Sequence, residues 1–201
     1  MEDNLAIKIY IIDVDGTLIP LSPLFKLIKK YKLDDIVFYP NRNYYKYEDK
    51  IIRKFFFIVG NLISSITSYL AYISINKKDR VYYESLFRFV FERLSENNNS
   101  LILIVSRSYT ARFAFDNIIR QLQKKNRNLR YYTIFGNLKK EFLKRIVNYL
   151  ENNSKIGLKI IIIEDNPKEV EDINSSDRIK KFLVDNPRET YEKLLLELYG
   201  R

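Results

Sequence analysis

Five short apolar runs recur along the chain, at 5–12, 101–106, 129–134, 157–163 and 179–184. Most of them are rich in isoleucine or leucine and end at polar residues, which is typical of buried strands. Between the later runs, apolar residues recur at helical spacing. Strands that alternate with helices predict an α/β fold, here a Rossmann-like three-layer sandwich with a mainly parallel sheet.

The first run stops at two carboxylates, Asp13 and Asp15, with Gly16 directly behind them. A strand repeats every two residues, so both carboxylates lie on one side of its carboxyl end. Two like charges so close require a cation, and Gly16 permits a sharp backbone turn. Carboxylate oxygens are ligands that Mg²⁺ prefers in proteins. The segment therefore predicts a magnesium site suited to phosphoryl transfer.

The sequence Asp-Val-Asp-Gly-Thr at 13–17 resembles the first motif of the haloacid dehalogenase (HAD) superfamily of phosphohydrolases. The resemblance implies that Asp13 attacks phosphorus to form an aspartyl phosphate, and that Asp15 acts first as general acid and then as general base. Calcium loops share the Asp-x-Asp-Gly pattern but continue with oxygen ligands, whereas apolar residues follow here. A strand that ends in a solvated acidic turn is the remaining alternative.

Three later segments match the other motifs of the same superfamily, in the expected order. Ser106 ends the second run and resembles the hydroxyl residue that bonds the phosphoryl oxygens. Lys139 matches the lysine of the third motif, with Lys140 as the alternative, and Asp165 matches the acid that completes magnesium coordination. The resemblance implies the catalytic residues Asp13, Asp15, Ser106 and Lys139. It also implies the magnesium ligands Asp13, Asp15 and Asp165, with Asp15 coordinating through its backbone carbonyl.

Further residues beside these motifs are candidates for substrate contacts or for support of the ligands. Family members usually carry Gly or Asp before the last motif acid, so Glu164 is a departure. These candidates are Thr17, Arg107, Lys140, Glu164 and Glu169.

A long segment separates the first two motifs, and the polar loop at 95–100 marks its return to the core. We assign 21–96 to a helical cap inserted after the first strand, and 1–20 with 97–201 to the catalytic core. By the family resemblance, such a cap closes over the site, excludes water and selects the substrate.

Residues 55–75 carry no charge and are long enough to cross a bilayer. A single crossing would separate Asp13 from every later motif. Serine and asparagine gather opposite an apolar face, so we predict a helix that packs against 81–94, with membrane-surface association as the alternative. The apolar face consists of Phe55, Val59, Leu62, Ile66, Tyr69, Leu70 and Ile73.

The last helix has a clear start signal. Asn186 is a capping residue, Pro187 fits the first helical position, and Glu189 can reach back to the cap. The apolar residues that follow are predicted to pack this helix against the sheet.

Composition limits the chemistry. The chain has 35 Lys and Arg against 25 Asp and Glu, and its net charge of +10 favours polyanionic partners. It has no Cys and no His, which excludes disulfides, thiolate zinc sites and histidine catalysis. The acidic N-terminus predicts no signal peptide and hence a cytoplasmic protein. Tyrosines and basic residues alternate at 42–47, either as a base-stacking surface or as packing within a small domain.

Together these features predict a Mg²⁺-dependent phosphatase that acts on a phosphomonoester through an aspartyl phosphate. The substrate is either a phosphorylated small molecule or a nucleotide or nucleic-acid end. The alternative is a non-catalytic module on the same fold that binds nucleic acid or a membrane surface. Membrane binding is not the favoured partner assignment, and the oligomeric state is left open.

Overall fold

The structure is a computed structural model, and it describes residues 7–21, 26–27, 30–31, 58–59, 62–63, 66–67, 69–96, 99–107, 110–125, 129–133, 138–153 and 157–200. The stretch at 42–47 and Phe55 lie outside these residues. No described helix combines the length and the apolar character that a membrane crossing requires.

The described strands form one parallel sheet. They are β1 (Ile7–Ile12), β2 (Ser100–Ser106), β3 (Leu129–Thr133), β4 (Leu158–Glu164) and β5 (Ile179–Leu183). Their order in the sheet is β3-β2-β1-β4-β5. The predicted Rossmann-like α/β class is confirmed, and the sheet is parallel throughout the described residues.

The register of the sheet brings the motif residues to one edge. Ile12, at the end of β1, pairs with Ile104 of β2 and Ile163 of β4. The ends of the three central strands are therefore level, with Asp13 directly after β1 and Asp165 directly after β4. Ligands in such folds bind beyond the carboxyl ends of the strands, which is where these residues lie.

Five continuous helices in the part of the chain that the structure describes cover the two faces of the sheet. They are α1 (Lys77–Ser95), α2 (Thr110–Lys125), α3 (Leu138–Asn153), the short α4 (Pro167–Val170) and α5 (Pro187–Tyr199). Alternate residues of β1 point to opposite faces, so Tyr10 packs with α1, α2 and α5, whereas Ile11 packs with α3 and α4. The result is a three-layer sandwich with an apolar core on each side of the sheet.

Helix α1 lies in the segment that the sequence analysis assigned to a cap, yet its apolar face packs on the core. Phe87 stacks on Phe115 of α2 with ring centroids 4.2 Å apart and an interplanar angle of 7°. Its other buried residues are Leu86, Val90, Phe91 and Leu94, whereas Phe89 is exposed. The division of the chain into core and cap stays a prediction.

The apolar face within 55–75 is oriented differently from the prediction. Residues 58–59, 62–63, 66–67 and 69–74 are helical, as expected. Five of the residues predicted to pack are exposed, so the predicted packing of this face is wrong for them: Leu62, Ile66, Tyr69, Leu70 and Ile73.

The start of α5 follows the prediction. Asn186 accepts a hydrogen bond from the backbone nitrogen of Glu189 at 3.0 Å, and Pro187 occupies the first turn. Glu189 in turn accepts a hydrogen bond from the backbone nitrogen of Asp185 at 2.9 Å. Two backbone N–H groups that the helix itself cannot satisfy are thereby bonded.

Candidate active site

A buried lysine joins the ends of the two central strands. Asp13 accepts a hydrogen bond from Lys139 Nζ at 2.6 Å through its Oδ1 atom. The same Nζ lies 2.7 Å from Glu164 Oε2, at the end of β4. All three side chains are at least 95% buried, and Lys139 comes from the first turn of α3. One ammonium thus compensates two carboxylates that the fold removes from water.

The environment of this cluster shifts the pKa values of its members. Burial alone lowers the pKa of the Lys139 ammonium, but the charges of Asp13 and Glu164 outweigh burial and raise it. Burial and then the charge of Asp13 raise the pKa of the Glu164 carboxyl, against the opposing effect of Lys139. Lys139 is therefore held in its charged form between the two carboxyl groups.

Asp15 lies beside this cluster and has a different partner. Its Oδ2 atom accepts a hydrogen bond from Ser106 Oγ at 3.1 Å, which connects the loop after β1 to the end of β2. Loss of hydration, followed by the charge of Asp13, raises the pKa of the Asp15 carboxyl to about 7. A carboxyl with such a pKa can both hold and release a proton near neutral pH, as a general acid and base must.

Three carboxylates converge where a metal ion is expected. One oxygen from each of Asp13, Glu164 and Asp165 lies within 4.8 Å of the other two. Oxygen donors of this kind suit Mg²⁺, and a cation would relieve the repulsion among them. Among the described residues, Glu164 joins the two predicted side-chain ligands Asp13 and Asp165 in this cluster. Asp15 is predicted to contribute its backbone carbonyl, which a cluster of side chains does not test. The set of ligands stays a prediction.

The turn behind Asp15 requires glycine for two reasons. Gly16 has a φ of +89°, a backbone conformation that residues with a side chain rarely adopt. A Cβ atom at this position would overlap the Asp165 carboxylate and would lie 2.9 Å from Leu21 Cγ. The turn and the acid after β4 therefore pack directly on each other.

The two candidate lysines have different surroundings. Lys139 reaches Asp13, whereas Lys140 is directed to the surface, where it pairs with Glu171 and lies 3.2 Å from Asp172. The geometry therefore favours Lys139 over Lys140 as the lysine that contacts Asp13.

A second cation lies at the same edge of the sheet. Arg107 follows Ser106 and forms an ion pair with the buried Glu169 of α4. The positive charge of Arg107 lowers the pKa of the Lys139 ammonium and so opposes the effect of the two carboxylates. Arg107 and Glu169, two of the candidate supporting residues, are thus paired with each other.

Thr17 connects the first motif to α5. Its backbone carbonyl accepts a hydrogen bond from Thr190 Oγ1 at 2.7 Å, and both residues are fully buried. No hydrogen-bond partner for the Thr17 hydroxyl is found among the residues that the structure describes. Sequence reasoning missed Thr190, because no local pattern signals a contact across 173 positions.

We expect Thr190→Val to lower the free energy of unfolding by about 1–3 kcal/mol, because the buried Thr17 carbonyl loses its donor at nearly constant side-chain volume. Urea unfolding measures this loss. The matched control is Thr67→Val, which removes a bond to the carbonyl of Ile63 one helical turn away. The control is expected to change stability by about 0.5 kcal/mol or less. Equal midpoints for the two variants would contradict the assigned role of Thr190.

Comparison with known proteins gives matches among solved structures only. No protein-family model matches the sequence, and no curated protein matches it significantly. The HAD domain of effector protein Lem4 from Legionella pneumophila is 15% identical, with a TM-score of 0.42 over 98% of this chain and 96% of that one. Legionella pneumophila effector Ceg4 is 14% identical, with a TM-score of 0.49 over 97% and 95%.

The strand order and the position of the motifs define the class of fold. A five-stranded parallel sheet carries Asp-Val-Asp-Gly-Thr at the end of its central strand and an acid pair at the end of the neighbouring strand. This arrangement of strands and motifs is the one that the sequence resemblance to the HAD superfamily implies.

Proposed function

We propose that the protein is a Mg²⁺-dependent phosphohydrolase that cleaves phosphomonoesters through an aspartyl phosphate. The observation that carries the proposal is the buried contact between Asp13 and Lys139, with Asp15 and Asp165 beside it. A strand that merely ended in a solvated acidic turn would not require a buried lysine from a helix 126 positions away.

Asp13 is the nucleophile in this mechanism. Its carboxylate oxygen forms a bond to phosphorus while the bond from phosphorus to the ester oxygen breaks on the opposite side. The product is an aspartyl phosphate and a free alkoxide or alcohol. Lys139, held 2.6 Å from Asp13, keeps a positive charge next to the reacting group throughout.

Asp15 transfers the protons. In its protonated form it donates a proton to the departing ester oxygen. The resulting carboxylate then removes a proton from a water whose oxygen bonds to phosphorus, while the bond from phosphorus to Asp13 breaks and inorganic phosphate leaves. The raised pKa of Asp15, about 7, suits both steps. Before substrate binds, a hydrogen bond from Ser106 orients the Asp15 carboxyl group. The single hydroxyl proton of Ser106 turns to the phosphoryl group when substrate is bound.

The phosphoryl group is bound by donors at the same edge. Lys139 and Arg107 supply positive charge, and the Ser106 hydroxyl supplies a hydrogen bond, to oxygens that become more negative as the reaction proceeds. The ion pair with Glu169 keeps the Arg107 side chain at this edge.

The carboxylates Asp13 and Asp165, with Glu164 next to them, fit a hard divalent cation and would hold Mg²⁺. When bound, the ion neutralises phosphate oxygens so that an anionic nucleophile can approach. The cytoplasmic location and the substrate, either a small phosphorylated molecule or a nucleic-acid end, stay predictions. The net charge of +10 supports the second substrate class.

We expect the protein to hydrolyse an aryl phosphate in the presence of Mg²⁺ and to lose this activity in EDTA. The measurement is release of the aryl alcohol, with and without metal, and after Mg²⁺ is restored. Recovery of activity on restoration separates removal of the metal from unfolding. A panel of phosphorylated metabolites and of 3′- and 5′-phosphorylated oligonucleotides follows. Equal turnover with and without EDTA would contradict the proposal. So would a complete lack of turnover, both on the aryl phosphate and on every member of the panel.

A further inference from the structure

An apolar stripe lies exposed on the helical residues before α1. Its members are between 40% and 54% exposed. They are Ile58, Leu62, Ile63, Ile66, Leu70 and Ile73. Side chains of this kind usually lie inside a protein, so a group of them on the surface indicates a contact surface.

The residues of the stripe are uncharged and recur in the sequence at helical spacing. On a helical wheel with 100° per residue, their sequence positions span about 140°. The sequence has no charged residue from 55 to 75. The stripe therefore offers neither ion pairs nor charged hydrogen bonds to whatever covers it.

The other side of the same segment is attached to the core. Tyr72 is buried, its ring centroid lies 6.0 Å from that of Phe115, and its hydroxyl donates a hydrogen bond to Glu84 at 2.9 Å. Arg80 of α1 donates a hydrogen bond to the carbonyl of Ile73 at 2.5 Å. These contacts fix the end of the segment to the core while the stripe remains outside.

Basic residues flank the stripe in the sequence, both before it and after it. Lys77 and Lys78 follow it and are exposed, and Lys50, Arg53 and Lys54 precede it in the sequence. Tyr69, near its end, is also exposed. Apolar residues bordered by lysines and tyrosines match the layers of an anionic bilayer surface, where hydrocarbon, aromatic rings and anionic headgroups succeed one another.

We propose that the apolar stripe docks the protein on an anionic membrane surface. The apolar side chains enter the boundary between headgroups and acyl chains, and Lys77 and Lys78 contact the anionic headgroups. This inference is independent of the proposed phosphatase activity.

Two other occupants fit these observations less well. A nucleic acid requires cations on the contact surface, and the stripe has none. Two copies packed in parallel through the stripe would bring Lys77 and Lys78 of one copy next to those of the other, which opposes association.

The test is sedimentation of the full chain with vesicles of phosphatidylcholine, alone or with about 30% phosphatidylserine. We expect binding to the anionic vesicles and much weaker binding to the neutral ones. The double variant Leu62→Asn with Ile66→Asn should weaken binding about tenfold or more, because two apolar side chains no longer enter the bilayer. Lys77→Glu with Lys78→Glu should also weaken binding to the anionic vesicles and reduce the difference between the two vesicles.

The matched control is Leu183→Asn with Leu196→Asn, which changes two exposed leucines elsewhere on the surface. It should bind like the unchanged protein. Circular dichroism verifies that each variant is folded, and light scattering measures its mass. No binding to anionic vesicles, or equal loss in the control, would overturn the proposal. The proposal would also be overturned if the unchanged protein were a dimer that does not bind vesicles and the Leu62 and Ile66 variant were a monomer.

Discussion

Asp13→Asn is expected to abolish phosphoester hydrolysis, with a loss of at least about 10³-fold in kcat. The asparagine amide has nearly the shape of the carboxylate but cannot form the aspartyl phosphate. Lys139 keeps its contact with Glu164, so we expect the fold to persist. The measurement is steady-state hydrolysis of an aryl phosphate at saturating Mg²⁺, together with a thermal melt.

A matched variant controls for the loss of one negative charge. Asp177 is exposed, in the connection between α4 and β5, so Asp177→Asn should retain full activity. Full activity of Asp13→Asn would show that Asp13 is not the nucleophile, even if hydrolysis of the aryl phosphate requires Mg²⁺. An inactive Asp177 variant would indicate that activity responds to net charge instead.

Lys139→Met is expected to lower the free energy of unfolding by about 3–5 kcal/mol, because Asp13 and Glu164 then lack their buried counter-charge. Activity should fall in parallel, since the phosphoryl group loses a cation next to the nucleophile. Urea unfolding followed by circular dichroism gives the first value, and aryl phosphate hydrolysis gives the second.

The adjacent lysine provides the control for this prediction. Lys140 pairs with carboxylates at the surface, and exposed ion pairs contribute about 1 kcal/mol or less, so Lys140→Met should be nearly neutral. The two substitutions are chemically identical and adjacent in sequence. A larger effect at Lys140 would assign the third-motif role to that residue and contradict the geometry of the cluster.

The sheet could be predicted from sequence because its signals are local. In a parallel sheet both faces of a strand are buried, so strands such as β1 and β4 appear as continuous isoleucine runs. The predicted bounds of β2 through β5 differ from the observed ones by at most one residue. Acids and hydroxyls that directly follow such runs must lie at the carboxyl edge, which is why Asp13, Ser106 and Asp165 could be identified.

Long-range contacts and the direction of a helical face could not be predicted in this way. Periodicity identifies the apolar face that includes Leu62 and Ile66, but it does not show whether that face points to the core or to solvent. Likewise, the Glu164 contact with Lys139 and the Thr190 contact with Thr17 depend on the assembled fold. No local pattern encodes them.

The central position of β1 has a consequence for how the protein is made. Ile12 pairs with Ile104 on one side and Ile163 on the other, so β1 leaves the ribosome about 90 residues before one neighbour and about 150 before the other. Contacts between such distant segments form slowly, and the unpaired apolar strand is prone to aggregate meanwhile. Asp13 and Asp165 come together only when β4 joins the sheet. A nascent chain that is released before β4 is made therefore carries the first motif but lacks Asp165, so the carboxylate cluster cannot form.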